Sequence, residues 1–163
     1  MRVTQMNIER FSLVSVRSFG DVLAAIKEGI GHPEMDQLWR GIWNADTFEE
    51  VEALVEPGLG PTGLMQFGEF DDGRFIRKEN GEGTPQSMRL LIGNPLIMKQ
   101  MTEHVPDAAA YAPITILIDE RSAGVHISYD RMASFLAIYG NSEASRIAKA
   151  LDKKIETLMV KAV

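Results

Sequence analysis

The stretch Pro113-Ile114-Thr115-Ile116-Leu117-Ile118-Asp119-Glu120-Arg121-Ser122-Ala123-Gly124-Val125-His126-Ile127-Ser128-Tyr129-Asp130 decides the fold. Two runs rich in β-branched residues flank a polar, glycine-containing break, which reads as a β-hairpin. With residues 119–124 as the turn, Ile118 faces Val125, Ile116 faces Ile127 and Ile114 faces Tyr129. Opposed residues share a face, so one face of the hairpin is wholly apolar. The other face carries Thr115, Leu117, His126 and Ser128, with Asp130 following on that side.

Downstream, residues 130–139 read as a short helix, and Gly140-Asn141-Ser142 opens a longer one. In it Ala144, Ala148, Leu151, Ile155, Leu158 and Ala162 step by four and three, a single apolar stripe. The stripe lasts under three heptads, so it faces a core rather than a coiled-coil partner. The apolar face of the hairpin is its expected seat.

Upstream, residues 86–92 alternate as a strand, with Arg89 opposite Met88 and Leu90. Asn94 and Pro95 then fill the N-cap and first-turn positions of a helix through His104. Residues 64–70, Asp71-Asp72-Gly73 and residues 74–78 carry a hairpin signal. Residues 8–17 form a first strand. Ser18 with Asp21 caps a helix bearing Phe19, Val22, Leu23 and Ile26, and Thr47 with Glu50 caps another. Residues 31–62 supply two helices and a Pro-Gly break, an expected helical insertion in a single domain spanning 1–163. Hairpin-joined strands with helices to one side imply an α+β domain built on an antiparallel sheet.

Composition narrows the function classes. Hydrophobic residues make up 45% and charged residues 25%, which suits an ordered globular chain. Seventeen basic against 23 acidic residues give a net charge of −6, and the basic residues are scattered, so no nucleic-acid partner is expected. No apolar run reaches the length of a membrane span, and the N-terminus lacks the apolar core of a secretory signal, so no membrane is expected. The absence of cysteine excludes disulfides, zinc–thiolate sites and thiol nucleophiles and fits a cytoplasmic location. No glycine-rich nucleotide-binding motif is present, and no cofactor is expected.

Gly93-Asn94-Pro95-Leu96 after a strand, Tyr111-Ala112-Pro113-Ile114-Thr115-Ile116 opening the next, and Gly124-Val125-His126-Ile127-Ser128-Tyr129-Asp130-Arg131-Met132 resemble the domain-of-unknown-function 302 family. The resemblance covers residues 8–160. It implies a fold like that of the TATA-box-binding protein, an antiparallel sheet with helices on one face, and a homodimer. It implies no activity. Many members of that family place cysteines where this chain has Gly93 and Ile114, so no thiol role transfers to it.

The candidate ligand-binding residues are Arg89, Asn94, Thr115, His126 and Ser128. Asn94 stands at a helix start, where free N–H groups attract anions, but Pro95 lacks an N–H and the Asn94 side chain occupies another donor. Capping therefore outweighs phosphate binding there. His126, Ser128 and Asp130 suggest a nucleophile set, yet neighbours on one side of a strand lie ~6.5–7 Å apart, too far for a direct hydrogen bond. His104 reads as a charge partner at a helix end, and His32 as a loop residue. The three histidines show no metal-ligand spacing. Glu69 and Asp71 read as turn-shaping carboxylates, and the nine methionines as core filler. The expectation is a small binding or assembly domain, homodimeric, with no legible catalytic set. The alternative is an enzyme of hydrolase or isomerase type with a pocket between the sheet and residues 31–62.

Overall fold

The structure is a computed structural model that describes Met1 and residues 3–163. Five strands, β1 (Arg10–Ser15), β2 (Met65–Phe70), β3 (Ser87–Gly93), β4 (Ile114–Arg121) and β5 (Gly124–Asp130), form one sheet. Their order is β1-β5-β4-β3-β2, and every neighbouring pair is antiparallel. The helices are α1 (Phe19–Glu28), α2 (Met35–Asn44), α3 (Phe48–Val55), α4 (Asp72–Asn80), α5 (Pro95–His104), α6 (Met132–Leu136) and α7 (Ser142–Ala162). The fold is the α+β arrangement that the strand and helix pattern implies. No helix among the described residues is long and apolar enough to cross a membrane.

The inner sheet face and helices α1, α5 and α7 enclose the main core. Leu90, Ile92, Ile116, Ile118 and Ile127 meet Val22 and Ile26 of α1, Met101 of α5, and Leu151 and Ile155 of α7 there. All six residues of the expected α7 stripe are buried, joined by Ile147 and Met159. The caps form as their sequences imply. The Ser18 hydroxyl accepts from Asp21 N at 3.1 Å, and Thr47 Oγ1 accepts from Glu50 N at 3.2 Å.

Two expectations need correction. In the β4–β5 hairpin, Ile118 faces Ile127 and Glu120 faces Val125, so the register is displaced by two residues. Asp119, Glu120 and Arg121 continue the strand because they find partners along it. Arg121 pairs with Asp119, and Glu120 Oε2 accepts from Gln86 N at 2.8 Å. Gly124 at φ +127° lets Ser122-Ala123 close the turn. A two-residue slip preserves parity, so the apolar face keeps its members. The second correction concerns residues 74–78, which lie in α4 rather than in a strand. Asp71 caps that helix, accepting from Arg74 N at 2.6 Å, and β2 pairs with β3 instead. Gly73 is drawn close to β3, where a Cβ would meet Ser87 N at 2.6 Å.

Residues 31–62 build a separate small core. Leu38 of α2, Val55 of α3 and Met65 of β2 are its buried members, with Ile42, Val51, Phe67 and Leu96 packed around them. The two stems of this segment cross at close quarters. The amides of Gly31 and Gly60 both donate to the Leu64 carbonyl at 2.9 Å, and Gln66 N donates to Gly31 O at 2.8 Å. A Cβ on Gly31 would overlap the Gly58 carbonyl oxygen, and one on Gly60 would overlap the Ile30–Gly31 backbone.

Candidate functional site

A pocket lies where the small core meets the sheet. Its size is about 130 Å³, and it is walled by Trp39 of α2, Phe67 of β2, Met98 and Met101 of α5 and Leu151 of α7. Ile92 and Gly93 at the end of β3, Asn94 and Pro95 at the start of α5, and Ala112, Pro113 and Ile114 entering β4 complete it. A bulge in β2 between Gln66 and Gly68 aims the Phe67 side chain here and sends Phe70 to the outer face. The Trp39 and Phe67 ring centroids lie 6.2 Å apart, tilted by 46°. Trp43, one helical turn beyond Trp39, stacks on it at 6.3 Å and is 75% exposed. No lining side chain titrates in the physiological range. Gly93 and Ile114, where the family resemblance expects cysteine, both line this pocket.

Asn94 contributes the one amide side chain. Its Oδ1 accepts from Leu96 N at 2.8 Å, and its Nδ2 donates to the Gly63 carbonyl at 3.0 Å, so it caps α5 and ties it to the end of residues 31–62. Asn94→Ala is expected to cost about 1 kcal/mol, the usual loss for a removed cap, in a urea titration. Unchanged stability together with lost binding of inorganic phosphate would contradict the capping role.

Arg89, Thr115, His126 and Ser128 stand apart from Asn94, on the outer sheet face that the core helices leave bare. Arg89 pairs with Asp72 at 3.4 Å and lies 4.8 Å over the Phe70 ring. Ser128 is buried in a row with Ser12 and Leu117, whereas His126 stands in the next row beside Asp119 and Val14. Thr115 faces Leu91. The His126 Nε2 is sequestered without a hydrogen-bond partner. Leu91 and Leu117 are partly covered by their sheet neighbours, while Val14 and Phe70 are 50% and 46% exposed.

The remaining candidates are scattered. His104 ends α5 exposed, and His32 Nε2 lies 2.9 Å from the Lys27 carbonyl. The Lys27 ammonium holds the Glu69 carboxyl below its usual range, and Gln66 also bonds it. Among the described residues, no three His, Cys, Asp or Glu side chains group to hold a metal ion.

One further polar centre is not announced by the strand and helix pattern. Asp152 is 5% exposed and accepts from Met132 N at 2.8 Å and Ala133 N at 2.9 Å, so it caps α6, whose own Arg131 offers no side-chain cap. The Tyr129 hydroxyl is 3.3 Å from it and 3.2 Å from Glu156 Oε1, which also receives Arg131 at 2.8 Å. Burial raises the Asp152 carboxyl above its usual range, against the lowering effect of the two amides. Burial and the neighbouring carboxylates raise the Tyr129 phenol as well. The legible signal was an acid standing within the apolar stripe, four residues after Ala148 and three before Ile155.

Among curated proteins, none matches the chain. A crystal structure of an uncharacterised conserved DUF302 protein from Bacillus stearothermophilus has a similar fold, with a TM-score of 0.66 and 8% identity. The similarity covers 94% of this chain and 98% of that one. The model of the domain of unknown function DUF302 matches residues 43–162. A match over most of the chain, on the sheet and helix order described above, makes this protein a member of the DUF302 family.

Proposed function

We propose that the protein is a non-catalytic binding domain that holds a small uncharged ligand in the pocket between residues 31–62 and the sheet. The observation that carries this reading is an apolar recess of about 130 Å³ without a titratable side chain. An apolar cavity of roughly that size stays dry and takes up benzene or xenon. Acid–base or nucleophilic chemistry needs a titratable group or an activated hydroxyl within reach of the substrate, and these walls supply neither. The hydrolase or isomerase alternative would need His104 or His126 here, and both lie elsewhere. The lack of cysteine supports a reducing, cytoplasmic setting. Native mass spectrometry of protein purified without denaturation is the test. A retained small neutral molecule is expected, and its occupancy should fall in Trp39→Ala. Retention unaffected by that change would place the ligand elsewhere.

A second reading, compatible with the first, is assembly as a homodimer through the outer face bearing Arg89, Thr115, His126 and Ser128. Exposed Val14 and Phe70 on a sheet face that the core helices do not cover favour it. Leu117→Arg is expected to weaken self-association without unfolding the chain. Sedimentation velocity decides: a wild type that stays monomeric at every concentration ends the assembly reading and leaves the pocket untouched.

A further inference from the structure

The chemistry of the pocket walls narrows the ligand class, an inference that rests on the pocket being a binding site. We propose that the site takes a single neutral aromatic ring, and that Gly93 sets the size limit. Three observations support this. The walls present two ring systems, Trp39 and Phe67, tilted at 46°, so that a third ring can stack on one and meet the other at a slant. Met98 and Met101, flexible residues with polarisable thioethers that suit aromatic contacts, line the pocket as well. No charged side chain lines the pocket, so a carboxylate or ammonium would be buried without a partner.

Gly93 is the position at which the volume is decided. A Cβ there would stand 3.4 Å from Phe67 Cε2 and 3.5 Å from Pro113 Cβ, between two walls of the pocket and free of backbone overlap. Alanine therefore fits at this position, and each further methyl occupies space the ligand needs.

The test uses the ¹⁵N-labelled chain of 163 residues titrated with benzene, cyclohexane and benzoate, followed at the Trp39 indole N–H and the Gly93 amide. Benzene is expected to bind about tenfold more tightly than either of the others, the scale of one good aromatic contact. Equal binding of cyclohexane overturns the aromatic preference, and equal binding of benzoate overturns neutrality; both leave the pocket as a binding site. Binding of none of the three removes the binding site itself. Gly93→Val is expected to abolish benzene binding while the thermal midpoint stays or rises. Unchanged benzene affinity in that variant overturns the role of Gly93. Should the valine chain not fold, Gly93→Ala gives the same decision: weaker benzene binding supports the size limit, and unaltered binding contradicts it.

Discussion

An Ile155→Asp chain is expected to be unfolded at neutral pH, whereas Lys153→Asp, two residues earlier, folds as the wild type does. Ile155 is fully buried in the centre of α7, against the sheet and α1, and Lys153 points to solvent. The substitution removes a large aliphatic side chain, worth about 2–5 kcal/mol in a close-packed core. It also leaves a carboxylate without a partner in apolar surroundings, which adds several kcal/mol more. Domains of this size have about 5–15 kcal/mol of total stability, so the sum exhausts most or all of it. The exposed change belongs among surface substitutions, within about 0.5 kcal/mol. Circular dichroism and urea titration of both variants provide the check. Equal stability would mean that α7 presents a different face to the sheet.

Asp152→Ala is expected to cost about 2–4 kcal/mol, because the buried Met132 amide and the part-buried Ala133 amide are left without their acceptor. The Tyr129 hydroxyl keeps Glu156 as a partner and contributes less to that loss. The pH dependence distinguishes this carboxylate from an ordinary cap. Burial raises its folded-state pKa above the value of about 3.9 that an unfolded aspartate has. The native state then binds the proton more tightly than the unfolded chain. Stability falls as pH rises from that unfolded value through the folded one, and the penalty is constant above it. Glu156 opposes ionisation too, while Arg131 faces Glu156 and Glu9 rather than Asp152. Asp152→Asn does not titrate, so the margin by which the wild type exceeds it should narrow as pH rises through this window. Urea titrations from acid to neutral pH read that margin directly; a widening gap would show that the amide hydrogen bonds outweigh burial.

Parity explains why the sheet faces were legible in the sequence while the hairpin register was not. Alternation alone assigns Ile114, Ile116 and Ile118 to the core, and a slip of two residues leaves that assignment intact. The register depended on Arg121 pairing with Asp119 and on Glu120 reaching Gln86 across the sheet, contacts that no local pattern announces. Asp71-Asp72-Gly73 was ambiguous for a related reason. An Asp followed by Gly serves a hairpin turn, but an Asp three residues before a helical amide also serves as an N-cap, and the pairing of β2 with β3 decided for the cap. The pocket walls come from residues as distant in sequence as Trp39, Phe67, Gly93, Pro113 and Leu151, so only the general place between the sheet and residues 31–62 could be foreseen.

The crossing of Gly31 and Gly60 over the Leu64 carbonyl bears on which changes of length this chain can absorb. Because both stems meet at one acceptor, residues 31–62 hang from the sheet as a loop whose ends are already together. Lengthening such a loop adds closure entropy only logarithmically, about 0.6 kcal/mol for each doubling. The helices beyond the crossing can therefore be lengthened, shortened or rebuilt at small thermodynamic cost, so long as the glycines keep the two backbones in contact. The pocket inherits this freedom on one side alone: Trp39 belongs to the loop beyond the crossing, whereas Gly93, Asn94 and Ile114 belong to the sheet end. One wall of the pocket can be rebuilt while the fold that carries the opposite wall stays as it is.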